Sequence, residues 1–220
     1  MQTILTSHHE LTSEISSFCF AKPDGFMYTA GQFIELTLEG HGKHWFTLSS
    51  SPLEHDLCIT TRQTDSAFKK ALFGLQTGAA VEISQPMGDF VLPKLQQTPL
   101  VWVAGGIGIT PFISQLKLLT ETGEPRPIRL LWAVSTEDDI IFQDVMEAAK
   151  QHVTIIVSKP SAAWGGERGH LTAEMVSALA DLEKDSLIFL SGPEPFVDSL
   201  KKGLPARQVV TDSFPGYGDI

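Results

Sequence analysis

Along Phe33-Ile34-Glu35-Leu36-Thr37-Leu38 the apolar residues Ile34, Leu36 and Leu38 alternate with the polar Glu35 and Thr37, the pattern of a strand with one buried face. Other short runs with β character are Phe18–Phe20, Gln32–Leu38, Trp45–Leu48, Leu57–Thr61 and Ala80–Ile83, separated by Gly, Pro, Asp and Ser. Regular turn signals between short strands predict a small antiparallel β-barrel over residues 1–97. One stretch differs: Ser66–Leu75 places Phe68, Leu72 and Leu75 at helical spacing, with Ser66 as its N-cap.

After Lys94-Leu-Gln-Gln-Thr-Pro99 the grammar changes. Leu100–Ala104 is wholly apolar, and Phe112–Leu119 follows with helical periodicity. Arg129–Val134, Val153–Val157 and Ser186–Leu190 read as further buried strands, with helices over Ile140–Gln151, Thr172–Asp181 and Glu194–Lys202. Strand–helix alternation predicts an α/β domain with a parallel sheet over residues 98–220, its ligand site at the carboxyl ends of the strands. The fold class is therefore two-domain, with the boundary near Gln96–Pro99 and no internal repeat.

Composition agrees with two small globular domains: 220 residues, 42% hydrophobic and 19% charged. The 16 basic residues against 26 acidic ones, a net charge of −10, form no run longer than a pair, which argues against a nucleic-acid groove. Cys19 and Cys58 stand 39 positions apart, short of the thiolates that an iron–sulfur cluster needs, so any redox centre comes from elsewhere and no metal site is expected. The N-terminus has no basic-then-apolar leader, and no apolar run is long enough to cross a bilayer; a soluble, cytoplasmic chain without a transmembrane segment is expected.

Four segments carry candidate chemistry. Ala104-Gly105-Gly106-Ile107-Gly108-Ile109-Thr110-Pro111 lies between an apolar strand and an amphipathic helix. Gly106 and Gly108 permit a tight turn and close backbone approach, Thr110 and Pro111 suit the helix cap and first position, and the helix start aims N–H groups at a pyrophosphate. The G-x-G-x-x-P spacing departs from the Rossmann fingerprint at its third glycine; a turn that only permits close packing is the plainer alternative. Ser191-Gly192-Pro193-Glu194 likewise follows a buried strand and precedes a helix. His44-Trp45-Phe46-Thr47-Leu48-Ser49-Ser50-Ser51-Pro52 offers hydroxyls beside an aromatic pair that could pack on a planar ring, or else a strand running into a serine-rich loop. In Gln85-Pro86-Met87-Gly88-Asp89-Phe90 a glycine turn precedes an aromatic that could line a cleft.

Taken in order, HWFTLSSSP, DSAFKKAL, QPMGDFVL, VAGGIGITPF and FLSGPEPFV resemble the ferredoxin–NADP reductase superfamily, from about Gly31 to Tyr217. The resemblance implies an FAD-binding barrel, then a nicotinamide-binding domain, with the two cofactors meeting at the interface. The family's Arg-x-Tyr/Phe-Ser/Thr motif falls on His44, Trp45, Phe46 and Thr47, so Phe46 would pack against the flavin and Thr47 would offer its hydroxyl near the reactive ring nitrogen. His44 replaces an arginine that holds the pyrophosphate bidentately; it has fewer donors and a charge that fades near neutral pH, leaving FMN or a loosely held flavin as alternatives. Ser49, Arg62 and Ser66 resemble further flavin and phosphate contacts, with Gly88 in the following turn, although Arg62 also reads as a solvated strand-end charge. The family's Cys-Gly-Pro becomes Ser191-Gly192-Pro193, and Phe214 and Tyr217 resemble the aromatic placed beside the flavin.

After Ser135, the acidic Thr136-Glu137-Asp138-Asp139 stands where the adenosine ribose would lie, a lean towards NADH over NADPH, with Lys159 able to reach a phosphate. The resemblance implies an oxidoreductase taking hydride from NAD(P)H and passing electrons to a separate acceptor, protein or small molecule: a ferredoxin, an oxygenase, a haem protein, free flavin or a quinone. The catalytic residues expected are Thr47, Ser191 and Phe214. Two alternatives stand beside it: a catalytically impaired flavin- or dinucleotide-binding subunit or sensor, and a flavin reductase using exchangeable flavin.

Overall fold

A computed structural model describes residues 1–180, 185–205 and 208–214, the side chains of 213 and 214 excepted. Its first compact unit contains residues 1–92 and 110–121, and its second residues 93–109 and the chain from 122 onwards.

The first unit is built on β1 (Gln2–Glu10), β2 (Ile15–Ala21), β3 (Phe33–Leu38), β4 (Gly42–Thr47), β5 (Asp56–Arg62) and β6 (Ala80–Ile83). They run in the order β4-β3-β6-β1-β2-β5, every adjacent pair antiparallel. A single bridge, Leu48 to Ile59, joins the two outermost strands and closes the barrel. The alternation seen along β3 is the reason for its orientation: Ile34, Leu36 and Leu38 are buried with Phe18, Phe20, Phe46, Leu57 and Ile59. β1 was not anticipated, because Thr6-Ser7-His8-His9-Glu10 has no apolar alternation; it is held by its ladders to β2 and β6. Cys19 and Cys58, remote in sequence, are register partners on β2 and β5 and form a disulfide.

The anticipated helix is α1 (Ala67–Phe73), and the Ser66 side chain accepts the Lys69 N–H at 3.2 Å. Phe68 and Leu72 enter the barrel core. A second helix, α2 (Thr110–Thr122), packs with this unit although its chain neighbours belong to the other. Its Gln115 Nε2 donates to the Phe90 carbonyl at 3.0 Å, Lys117 pairs with Glu54 at 3.0 Å, and Ser114 donates to the Ser50 carbonyl. Phe90, expected to line a cleft, is instead a core residue, edge-on to Phe112 at 5.5 Å.

The second unit contains β7 (Leu100–Gly105), β8 (Ile128–Val134), β9 (His152–Val157), β10 (Glu167–Arg168), β11 (Leu187–Pro193) and β12 (Val209–Phe214), with α3 (Gln143–Ala149), α4 (Ala173–Leu179) and α5 (Glu194–Lys201). The order is β10-β9-β8-β7-β11-β12 and every ladder is parallel. β7 is buried at every position, as a central strand covered on both faces must be. α3 starts later than its periodicity suggests because Phe142 adopts a left-handed backbone, φ 57°. β10 and β12 were not anticipated: one is two residues long, and the other sits in a terminal segment with polar Thr211 and Asp212. From β7 the chain builds outwards through β8, β9 and β10, then returns to place β11 on β7's other side. The order therefore reverses between β7 and β11, where open α/β sheets bind ligands. Among the described residues no helix is long and apolar enough to cross a membrane.

Candidate functional site

In the antiparallel unit the candidate residues lie along β4 and β5. Strand alternation points Phe46 into the barrel, 6% exposed, and Trp45 to the opposite face, 55% exposed, where its Nε1 donates to Glu35 at 3.2 Å and its ring lies 6.2 Å from Phe33. The two aromatics therefore do not share a ring-binding face. Phe46 stacks with Phe68, centroids 6.0 Å apart. The His44 ring lies 4.4 Å from Phe68; burial first, and the neighbouring Lys69 second, hold its pKa below the usual histidine value. At neutral pH His44 is thus a neutral aromatic, without the charge of an arginine.

The hydroxyls after this strand divide sharply. Ser49 Oγ bonds the Cys58 carbonyl at 3.1 Å and Thr60 Oγ1 at 2.9 Å; Ser50 Oγ takes the Cys58 N–H and contacts Tyr28 Oη, both at 2.9 Å; Ser51 Oγ donates to Glu121. These serines tie the loop to β5, Tyr28 and α2, and Ser49, expected to serve a cofactor, is engaged with Cys58 and Thr60. Thr47 Oγ1 is different: it is buried and has no hydrogen-bond partner. Arg62 is ion-paired with Glu14, and Ser66 caps α1. Gly88, φ +95°, sits against Phe33, whose ring carbons would lie 2.9 Å from an added Cβ.

Lys69 was missed. It is 1% exposed, its Nζ donates to Thr61 Oγ1 and lies 4.5 Å from the Phe46 ring centroid, and burial lowers its pKa to about 7. The usable signal was the placement of Lys69 between Phe68 and Leu72 on the buried side of a capped helix, whereas Lys70 faces outwards to Asp65 at 3.2 Å.

In the parallel unit two turns abut at the β7/β11 reversal. Gly105 ends β7, and Gly106–Ile109 form one turn of 3₁₀-helix that runs directly into α2. Thr110 is therefore the first helical residue and Pro111 the second; the cap position is Ile109, without a side-chain bond, which corrects the expected role of Thr110. Gly106 takes a left-handed backbone, φ +52°, and its carbonyl accepts Trp132 Nε1 at 2.9 Å. A Cβ on Gly108 would lie 2.4 Å from the Ser191 carbonyl oxygen and 2.6 Å from Gly192 Cα, so only glycine lets the turns touch. Ser191 is fully buried and its Oγ, like that of Thr47, has no hydrogen-bond partner. Gly192 continues β11, and Pro193 is both its last residue and the N-cap of α5.

An oxidoreductase NAD-binding domain model matches residues 102–202. The chain is 27% identical over 212 residues to the glycine betaine monooxygenase reductase subunit of Chromohalobacter salexigens, covering 89% of itself and 58% of that protein. It is 26% identical over 234 residues to ferredoxin–NADP reductase B of Sorangium cellulosum, covering 96% of both. A Neisseria gonorrhoeae ferredoxin NADP⁺ reductase structure with bound FAD and NADP superposes with TM-score 0.83 at 19% identity, over 97% of this chain and 98% of that one. Residues 102–202 thus match an oxidoreductase NAD-binding domain, and the chain is similar over most of its length to reductases of the ferredoxin–NADP reductase superfamily.

Its two-part fold, antiparallel barrel then parallel sheet, is that of the superfamily. The ferredoxin–NADP reductase superfamily binds FAD and NAD(P), and this chain's residues fit both groups on two counts. Thr47 Oγ1 and Ser191 Oγ are buried hydroxyls left for an external partner, and at Gly106 the backbone is left-handed with open space where a side chain would stand, while Gly105 and Gly108 pack directly on Phe196 and on Ser191 and Gly192. In the loop after β8, the Ser135 carbonyl accepts the Lys159 N–H at 2.8 Å. Glu137 accepts the Ser161 N–H at 2.9 Å, and bonds from Ser161 lower its pKa; Asp139 accepts from Thr136 N at 3.0 Å and Oγ1 at 3.2 Å. Phe214 ends β12 in register with Pro193, but its side chain, like the whole of Tyr217, lies outside the described residues.

Proposed function

We propose that this chain is an NAD(P)H-dependent flavoprotein reductase, residues 1–97 supplying the flavin-binding side chains and residues 98–220 the nicotinamide-binding turns. The observation that carries this reading is the pair of buried, unpartnered hydroxyls, Thr47 Oγ1 and Ser191 Oγ, each on a segment that the superfamily uses for a cofactor. An unpaired buried hydroxyl costs about 1–3 kcal/mol, which a ligand atom recovers by completing the bond. FAD, when bound, supplies the redox chemistry: it takes two electrons as hydride and can release them singly or together.

The protein's share is orientation. Thr47 donates a hydrogen bond at the flavin's reactive edge, with Phe46 behind it inside the barrel, and the N–H groups from Gly106 to Gly108 hold the nicotinamide cofactor's pyrophosphate. Ser191 orients the nicotinamide, and Pro193 with Gly192 leaves the backbone open to it. Phe214 and Tyr217 are assigned the aromatic position beside the flavin on resemblance alone. Glu137 and Asp139 support NADH over NADPH, because hydrogen bonds hold both carboxylates in place, and those to Glu137 lower its pKa, where a 2′-phosphate would have to sit. The acceptor is a separate partner, and the relative named as a monooxygenase reductase subunit supports an oxygenase component.

Anaerobic mixing of FAD-loaded protein with NADH or NADPH tests the reading. Bleaching of the flavin band, faster with NADH, followed by turnover with ferricyanide is expected; no bleaching by either donor would reject it. The neutral His44 favours one second reading, a flavin reductase whose flavin is a diffusible substrate. Flavin lost on dialysis, with activity restored by adding it back, would select that reading.

A further inference from the structure

Cys19 and Cys58 are the chain's only cysteines, and their disulfide joins strands that are already held together. β2 and β5 pair from Ile15–Arg62 to Ala21–Asp56, and the barrel buries its own apolar core, so the cross-link is not the staple that a coreless small domain needs. β5 is an outermost strand and meets β4 only at the Leu48–Ile59 bridge, one residue from Cys58. Cys58 also ties down the turn after Thr47. Its carbonyl accepts the Ser49 N–H at 2.7 Å, the Ser49 hydroxyl at 3.1 Å and the Ser50 N–H at 3.4 Å, and its own N–H donates to Ser50 Oγ at 2.9 Å. The main chain of one disulfide cysteine therefore anchors the segment that begins beside Thr47 Oγ1, the buried hydroxyl with no partner. The two cysteines differ in access. Cys58 is 8% exposed, whereas Cys19 is partly exposed on a strand whose backbone is paired on both sides, so the area it shows belongs mainly to its side chain.

We propose that the Cys19–Cys58 bond is a dithiol-responsive clamp on the Ser49–Ser50 turn, closed in the oxidised chain and released by reduction. A thiolate of an external dithiol attacks Cys19 Sγ and Cys58 leaves as a thiolate that takes a proton; the dithiol's second sulfur then closes on the first and displaces Cys19. The dithiol ends as a disulfide, and the chain gains two electrons and two protons as two thiols; a disulfide oxidant reverses the exchange. Without the cross-link, the start of β5 at Asp56–Cys58 opens from β2 on its own, and its bonds to the turn open with it. A ligand that needs the turn ordered then bears the cost of ordering it. On the flavoprotein reading, on which this last step rests, that ligand is the flavin at Thr47, so flavin affinity falls on reduction.

The test compares one protein in two redox states and so needs no variant to fold. An aromatic disulfide reagent should find no free thiol in the air-equilibrated chain, and both cysteines after dithiothreitol. With the reductant removed under argon, FAD titration read by fluorescence should give an affinity about tenfold below that of the oxidised chain. The Ser49 and Cys58 amides should exchange with solvent about tenfold faster or more, with far-UV circular dichroism unchanged. The double variant Cys19→Ser, Cys58→Ser should bind FAD as the reduced chain does and show no response to dithiothreitol. Equal FAD affinity and equal amide exchange in both states would leave the cross-link a global staple and overturn the proposal, as would two reactive thiols in the air-equilibrated chain. If FAD binds neither form, the flavoprotein reading falls, and the amide exchange still decides the clamp.

Discussion

The antiparallel and parallel units build their candidate sites by opposite means. Around β4 and β5 the first unit buries Thr47, Ser49, Ser50, Ser51, Thr60, Thr61 and Lys69, a dense set of polar side chains inside a barrel. The second keeps β7 apolar, and its candidate site rests on the backbone of Gly105, Gly106 and Gly108, with Ser191 a buried hydroxyl at the adjoining turn. Side-chain chemistry can be retuned one substitution at a time. Backbone chemistry has no such freedom, since any side chain at Gly108 meets main-chain atoms.

The sharpest way to separate the units is through Lys69, the ammonium that the first unit buries. Lys69 keeps its proton to a pKa of 10.5 when unfolded but only to about 7 when folded. Between those values the unfolded chain binds more protons, so stability rises with pH; below 7 the full burial cost applies. Lys69→Met should raise unfolding stability at pH 6 by up to about 4 kcal/mol, and by less at pH 9, as measured by urea denaturation. Equal gains at both pH values would mean that the ammonium is not desolvated.

Next in size, Gly108→Ala should cost about 2–3 kcal/mol of stability through main-chain overlap. It should also slow flavin reduction by NADH about a hundredfold with FAD affinity intact. A mild phenotype would break the claim that this site is made of backbone. Thr47→Ala should leave stability within about 1 kcal/mol and slow flavin reduction about tenfold, seen by stopped flow. Smallest is Ser191→Ala: stability equal or about 1 kcal/mol higher, because an unpartnered hydroxyl is removed, and hydride transfer slowed about threefold.

Much of this was legible in the sequence where local pattern and packing agree. Ile34, Leu36 and Leu38 alternate and are buried alternately; Leu100–Ala104 is apolar throughout and becomes a central strand; Ser66 reads as a cap and is one. What stayed hidden depends on partners remote in sequence. β1 is polar over half its length and is a strand because β2 and β6 flank it, and Cys19 meets Cys58 only once β2 and β5 are in register. The serines after Thr47 looked like cofactor donors until Cys58, Tyr28 and Glu121 were seen to occupy them. Lys69 resembled its exposed neighbour Lys70, since nothing local distinguishes a lysine directed into a barrel from one directed to solvent.

The packing of α2 limits how the molecule can be dissected. Because Ser114, Gln115 and Lys117 serve the loops of the antiparallel unit from a helix encoded after β7, a fragment stopping at residue 97 would lack the cover over Phe90 and the Ser50 carbonyl. No single cut yields both halves intact: expressing either alone calls for a permuted chain, or for α2 supplied in trans.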